Sequence, residues 1–297
     1  MEAKRVSVII PSYNHSKFIE ECIVSVFNQT YSNIEVIVID DGSSDGSDEL
    51  LRQLSFKYPF NLILKHNEGV CATLNRGIKI AKGDFITFIA SDDFMPPERL
   101  EQQVSLLQNK PEIDVIAGTI AVVDDHSKIL SHKSSRGLGF VTLDQMFKKN
   151  IVFAPTAMFR KETFQKFGIY NEKYVFEDYY LWLKILSNSG RIYNTSHEWA
   201  FYRLSSVNLE RRFRWYYKGY QQTLGDYLED PRARAALNHY RLVFCAKMTL
   251  LSGLRFFKSD RQEIKKLALP KRALLAFVCI APEFLRRRLL MHLIKEL

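Results

Sequence analysis

Two acidic pairs in this chain, Asp40-Asp41 and Asp92-Asp93, each stand directly after an apolar run. Adjacent like charges raise each other's cost of ionisation, and burial without partners adds to it. Something must reward them. A hard divalent cation is one reward, because magnesium and manganese favour carboxylate oxygens and keep water and phosphate oxygens as their remaining ligands. Asp92-Asp93 suits that role best. Asp40-Asp41 is better placed to read a heterocyclic base, since a carboxylate accepts hydrogen bonds from ring N–H groups. Tyr13 could stack on the same ring. In isolation, "DGSSDGS" after Asp40 reads equally well as a helix cap. A third pair, Glu177-Asp178, opens a helical stretch, where it would also complement the helix dipole.

These residues need elements to hold them. Val6–Ile10, Ile34–Asp40, Asn61–Leu64, Phe85–Ala90 and Val115–Val123 read as strands. Helical spacing marks Ser16–Gln29, Ser44–Tyr58, Gly69–Ala81 and Pro97–Gln108 between them. Strands separated by helices of this length imply βαβ units and a mostly parallel central sheet, flanked by helices. The strands are continuous apolar runs, as expected of strands buried on both faces. In such open sheets, ligands bind beyond the carboxyl ends of the strands. Pro11-Ser12-Tyr13-Asn14, Asp40-Asp41 and Ser91-Asp92-Asp93 should therefore share one edge. Further on, Ser131–Gly139 reads as a surface loop, Ile151–Phe159 as a strand interrupted by Pro155, and Asp178–Ser189 as a helix.

Composition narrows the class. Of 297 residues, 46% are hydrophobic and 13% aromatic, ample for a packed core. Cys22, Cys71, Cys245 and Cys279 have no metal-site spacing, and a reducing compartment suits them. The start, MEAKRVSVII, lacks the long apolar core of a signal peptide. The net charge of +9 is unevenly spread. Residues 1–209 hold 23 Lys+Arg against 25 Asp+Glu, giving −2, and residues 210–297 hold 19 against 8, giving +11. A helical appendage meeting an anionic partner follows from that split. On a helical wheel over Tyr240–Lys258, Arg241, Lys247, Arg255 and Lys258 share one sector, opposite Leu242, Cys245, Ala246, Leu250, Phe256 and Phe257. Ala273–Pro282 is uncharged and flanked by Lys271-Arg272 and Arg286-Arg287-Arg288. It is too short to span a bilayer, but basic flanks suit an interfacial helix. The competing reading is that these helices pack on protein, including as a homodimer interface. "RRFRWYYKGY" has the composition of a nucleic-acid binder without a recognisable motif, so no nucleic-acid partner is expected.

The stretches "VSVIIPSYNHSKFIEECIVSVFNQTY", "IEVIVIDDGSSDGS", "HNEGVCATLNRGIKIAKGDFITFIASDD" and "VFEDYYLWLKI" together resemble a family 2 glycosyltransferase of the GT-A fold, of the type that builds bacterial surface glycans. The resemblance covers roughly residues 5–205. It implies an inverting, metal-dependent transfer of a sugar, a hexose or N-acetylhexosamine, from a nucleoside diphosphate sugar, UDP-sugars foremost. The acceptor would be a glycan hydroxyl, polyprenyl-linked, at the cytoplasmic face of the inner membrane. Asp41 corresponds to the residue that hydrogen-bonds the base, with Pro11 and Tyr13 in the loop packed against it. Asn67, Gly69 and Asn75 match the loop and helix near the nucleotide. Asp93 matches the metal-binding aspartate, taking Mn2+ or Mg2+, with Asp92 supporting it. Asp178 matches the general base and Glu177 its neighbour. The implied organisation is a catalytic domain over 1–209, with a nucleotide-sugar half to about 125 and an acceptor half from 126, followed by a basic, membrane-associated helical extension over 210–297.

Three positions depart from the family pattern. Ser91 replaces the first carboxylate of the metal motif. Leu74 stands where many members carry arginine, and Ser205 where many carry histidine. A sugar-nucleotide binding module without turnover stays open as an alternative, as does a basic-tailed nucleic-acid binder. Paired retention of Asp93 and Asp178 favours the enzyme.

Overall fold

The computed structural model describes residues 4–134, 137–204, 209–252, 260–280 and 288. The chain divides into two compact units, one formed by residues 1–172 and 177–205, the other by 173–176 and 206–297.

The first unit is built on a mixed sheet. Its four leading strands are β1 (Val6–Ser12), β2 (Ile34–Asp40), β3 (Asn61–Leu64) and β4 (Phe85–Phe88), joined by the helices α1 (Ile19–Phe27), α2 (Ser47–Lys57) and α3 (Val70–Ile80). They lie parallel in the order β3-β2-β1-β4. Register places Ser12 opposite Asp40 and Ile9 opposite Phe88, so three strand ends open on one edge. β1 and β2 sit mid-sheet, which is why Val8, Ile10, Val36 and Val38 are buried. Apolar faces of α1, α2 and α4 (Arg99–Asn109) complete this core.

The other half follows different rules. Strand β5 (Val115–Val123) lies parallel to β9 (Ile192–Arg203) and antiparallel to β6 (Ile129–Lys133) and β8 (Met158–Arg160). β8 also closes onto β4, antiparallel, and the short β7 (Gly139–Phe140) borders β9. Two expectations need correction. Within Ser131–Gly139, Ser131–Lys133 is not loop but the end of β6, and Gly139 begins β7; residues 135–136 lie outside the described residues. β6 is mostly exposed, so the sequence shows no apolar run, and its pairing rests on backbone hydrogen bonds to β5. Within Ile151–Phe159, the structure has a 3-10 turn at Ala154–Thr156 and a strand only from Met158. Pro155 has no N–H for a ladder. The Thr156 hydroxyl instead accepts from the Gly118 N–H at 2.9 Å. Two further helices, α5 (Leu143–Lys148) and α6 (Lys161–Phe167), precede α7 (Glu177–Ser187), which carries the third acidic pair.

The second unit is helical: α8 (Leu209–Gly225), α9 (Pro231–Ser252), α10 (Arg261–Lys265) and α11 (Leu269–Ile280). Leu242, Cys245 and Ala246, the apolar face expected of α9, are buried in this unit's own core with Tyr217, Phe244, Ile264 and Leu275. Arg255, Phe256, Phe257, Lys258, Arg286 and Arg287 lie outside the described residues. The segment 173–176 belongs here: the Phe176 ring is buried against the edges of Trp215, Tyr216 and Tyr220, and the Val175 N–H donates to Gln222 Oε1 at 3.1 Å. No helix among the described residues is long and apolar enough to cross a membrane.

Candidate active site

The end of β2 is a loop anchor. Asp40 closes a turn on Ser43, accepting from its N–H at 2.9 Å and its hydroxyl at 2.6 Å. Asp41 is 4% exposed. Its Oδ1 accepts from the Lys65 ammonium and from the Glu68 N–H at 2.8 Å; its Oδ2 accepts from the Gly69 N–H at 2.8 Å. The carboxylate thus ties down residues 65–69, and one Oδ2 lone pair remains for a ligand. Gly42 makes the approach possible. At φ +74°, a Cβ there would sit 2.8 Å from the Asn67 N–H nitrogen. The end of β1 is laced to the same region. The Asn14 N–H donates to Ser43 Oγ, and the Ser44 N–H donates to Asn14 Oδ1, both at 2.8 Å. Pro11 ends β1 half-buried, and Tyr13 projects from the loop with 48% of its surface exposed. Asn67 is exposed on the 65–69 loop, and Gly69, at φ +90°, leads into α3.

The end of β4 is built differently. Asp93 is 2% exposed; its Oδ1 accepts from the Arg203 N–H at 2.8 Å, while Oδ2 is buried without a hydrogen-bond partner. Burial, and then the neighbouring Asp92, push its carboxyl well above the usual range. Arg203 lies across the same loop, donating to the Asp92 carbonyl at 2.9 Å and to Glu21 Oε2 at 2.6 Å. The buried Arg99 guanidinium spans Thr87 and the Trp199 carbonyl, and its charge opposes the rise at Asp93. Burial brings Arg99 itself down to about 9. His15 reaches in from β1's loop, with Nδ1 2.8 Å from Ser91 Oγ and 3.6 Å from Asp92 Oδ1.

No group of three or more His, Cys, Asp or Glu side chains among the described residues could hold a metal by itself. The orphaned Asp93 oxygen nevertheless fits a cation, provided that most of its ligands come from a bound diphosphate and water, as magnesium commonly arranges.

The third acidic pair opens α7. The Tyr179 N–H donates to Asp178 Oδ1 at 2.6 Å. Burial, then the Asp178 charge, push Glu177 up to about 8. Burial also raises Asp178, against the Tyr179 N–H and Asn150. Both carboxylates lie within electrostatic reach of Cys71 on α3, whose thiol burial and these charges raise to about 12. Asn75, also on α3, is buried, donates to the Tyr170 carbonyl at 2.9 Å and accepts from the Tyr170 N–H at 3.0 Å.

Sequence reasoning missed Lys65, Arg99, Arg203 and His15. Arg99 left a readable signal, since it shares the stripe of Gln103, Val104 and Leu107 on α4. Arg203 left none, because its side-chain partners come from segments 76 to 182 residues away.

The family model described as Glycosyl transferase family 2 matches residues 7–168, more than half of the chain. An uncharacterized glycosyltransferase of Rickettsia typhi is 33% identical over 199 residues, covering 62% of this chain and 59% of its own length. The chain thus spans less than two thirds of that relative. The Escherichia coli protein named UDP-Glc:alpha-D-GlcNAc-diphosphoundecaprenol beta-1,3-glucosyltransferase WfgD is 30% identical over 236 residues, covering 79% of this chain and 90% of WfgD. Among solved structures, the mannosyltransferase PcManGT from Pyrobaculum calidifontis, in complex with GDP-Man and Mn2+, superposes with a TM-score of 0.64 at 19% identity, over 99% of this chain and 86% of its own.

Proposed function

The chain belongs to glycosyl transferase family 2, and from that premise we propose that it moves a sugar from a UDP-sugar to a hydroxyl of a polyprenyl-linked glycan, with inversion at the anomeric carbon. The observation that carries this reading is the orphaned, buried Asp93 oxygen at the sheet edge where β1 and β2 also end. Asp41 offers its remaining lone pair to the base, and Tyr13 supplies the stacking face. Pro11, Asn67 and Gly69 shape the walls. Asp93, supported by Asp92, would hold a manganese or magnesium ion, whose chemistry is to neutralise charge on the leaving diphosphate.

Asp178 acts as general base. It takes the acceptor's hydroxyl proton while the hydroxyl oxygen bonds to the anomeric carbon and the bond to the diphosphate breaks on the opposite side. Burial raises both carboxyls, and the Asp178 charge raises Glu177 further, so the pair titrates as a unit on the α7 side of the site. The diphosphoundecaprenol acceptor in the name of WfgD supports a lipid-linked substrate, and on this reading the enzyme acts at the cytoplasmic face of the bacterial inner membrane.

The decisive experiment is Asp178→Asn, which keeps shape and removes the proton acceptor. UDP binding should persist while transfer falls by about 10²–10⁴. Transfer near the wild-type rate would exclude Asp178 as the base.

A further inference from the structure

The second unit contains a cavity of about 460 Å³ between α8 and α9, a size typical of ligand pockets. Phe213, Tyr217 and Tyr220 line it from α8; Tyr240, Val243 and Phe244 line it from α9, with Lys247. The rings are paired into flat walls. Tyr217 stacks on Phe244 with centroids 4.3 Å apart, and Tyr220 on Tyr240 at 3.6 Å. The Tyr217 hydroxyl is committed elsewhere, to Glu263, and accepts from Arg241 Nε at 3.1 Å. Among the described residues, no carboxylate or amide side chain lines the cavity. The walls are flat aromatic faces, and apolar ligand surface packed against them is removed from water. Among the described residues, Lys247 is the charged lining group, its ammonium 4.5 Å from the centroid of the Phe213 ring. In sequence, residues 210–297 carry +11, a balance that favours an anionic ligand.

We propose that this cavity binds the isoprenoid chain of a prenyl phosphate, with the phosphate on Lys247. This rests on the reading of the acceptor as polyprenyl-linked and deepens it, by giving the lipid end a site of its own. Branched isoprene units pack on aromatic faces through apolar burial, and the phosphate adds a charge-assisted contact.

The test uses the full chain and farnesyl phosphate, titrated calorimetrically in chelator and saturating UDP, so that the donor site is already filled. Saturable binding is expected. Val243→Trp fills the cavity and should weaken it at least about tenfold. Lys247→Gln should weaken farnesyl phosphate about fivefold, as for a partly exposed ion pair, and leave farnesol unchanged. Melting temperatures and UDP binding of both variants should match wild type. If Val243→Trp melts early, the contrast between farnesyl phosphate and farnesol in Lys247→Gln decides. Absence of saturable binding by the wild type, or equal binding by both variants, overturns the proposal. Failure of the donor reading shows separately, as absent UDP binding.

Discussion

The ends of β2 and β4 carry the same dipeptide, Asp-Asp, on the same sheet edge, and the protein treats them in opposite ways. Asp41 accepts from three donors of the 65–69 loop, one of them the Lys65 ammonium. Asp93 accepts from one backbone N–H and leaves an oxygen buried and unpaired. Hydrogen bonding stabilises a carboxylate that is being used as a structural anchor, whereas an orphaned carboxylate is a standing cost. One carboxylate fixes a loop through three hydrogen bonds, and the other is buried with one oxygen unpartnered; on the proposed reading, that oxygen is the one available to a cation.

The same substitution at both positions exposes the contrast. Asp93→Asn keeps the acceptor for the Arg203 N–H and removes the charge. Transfer should fall by about a thousandfold, the scale of metal-assisted charge stabilisation. The melting temperature should hold or rise, because burial and the neighbouring Asp92 disfavour the ionised carboxyl, and an amide carries neither cost. Assays across a manganese titration, with calorimetric melts, measure both. A large loss of stability would mean that Asp93 is an anchor after all.

Asp41→Asn should do the reverse in kind. It removes the buried charge paired with Lys65, whose side chain is only 5% exposed and keeps Glu68 at 3.0 Å, and it turns an amide towards the N–H groups of the loop. The cost should be about 3 kcal/mol in urea unfolding, as for breaking a buried ion pair. UDP affinity should fall with it. Unchanged stability would erase the distinction between the two strand ends.

The smallest effect belongs to the third pair, Glu177-Asp178. Unfolded, Glu177 releases its proton near its ordinary 4.5; folded, it holds it to about 8. The native state therefore binds more protons across that window, and stability declines as pH rises through it. Glu177→Gln removes the titration. Its melting temperature should exceed wild type at pH 8.5 and converge with it near pH 5. Parallel curves at all pH values would place Glu177 in ordinary solvent.

The amino-acid sequence by itself determined the first four strands, the three helices between them and the edge on which the acidic residues meet. Continuous apolar runs and helical stripes are local signals, and parallel βαβ geometry then leaves little choice of where strand ends lie. The sequence also marked Asp41, Asp93 and Asp178 as the residues to watch, through motifs whose order and spacing survive in one dimension. It could not see β6, whose pairing uses only backbone groups, nor the 3-10 turn at Pro155. Nor could it separate Asp41 from Asp93. Both read as an aspartate after a strand. Their environments come from Lys65, Gly69, Arg99 and Arg203, and only the fold brings Arg99 and Arg203 together around Asp93. Helix α9 teaches the same limit: its basic and apolar faces are legible on a wheel, but burial of Leu242, Cys245 and Ala246 inside the second unit was decided by neighbours on α8, α10 and α11. Burial and partner identity are properties of three-dimensional packing, and they set which carboxylate is satisfied and which keeps an unpartnered oxygen.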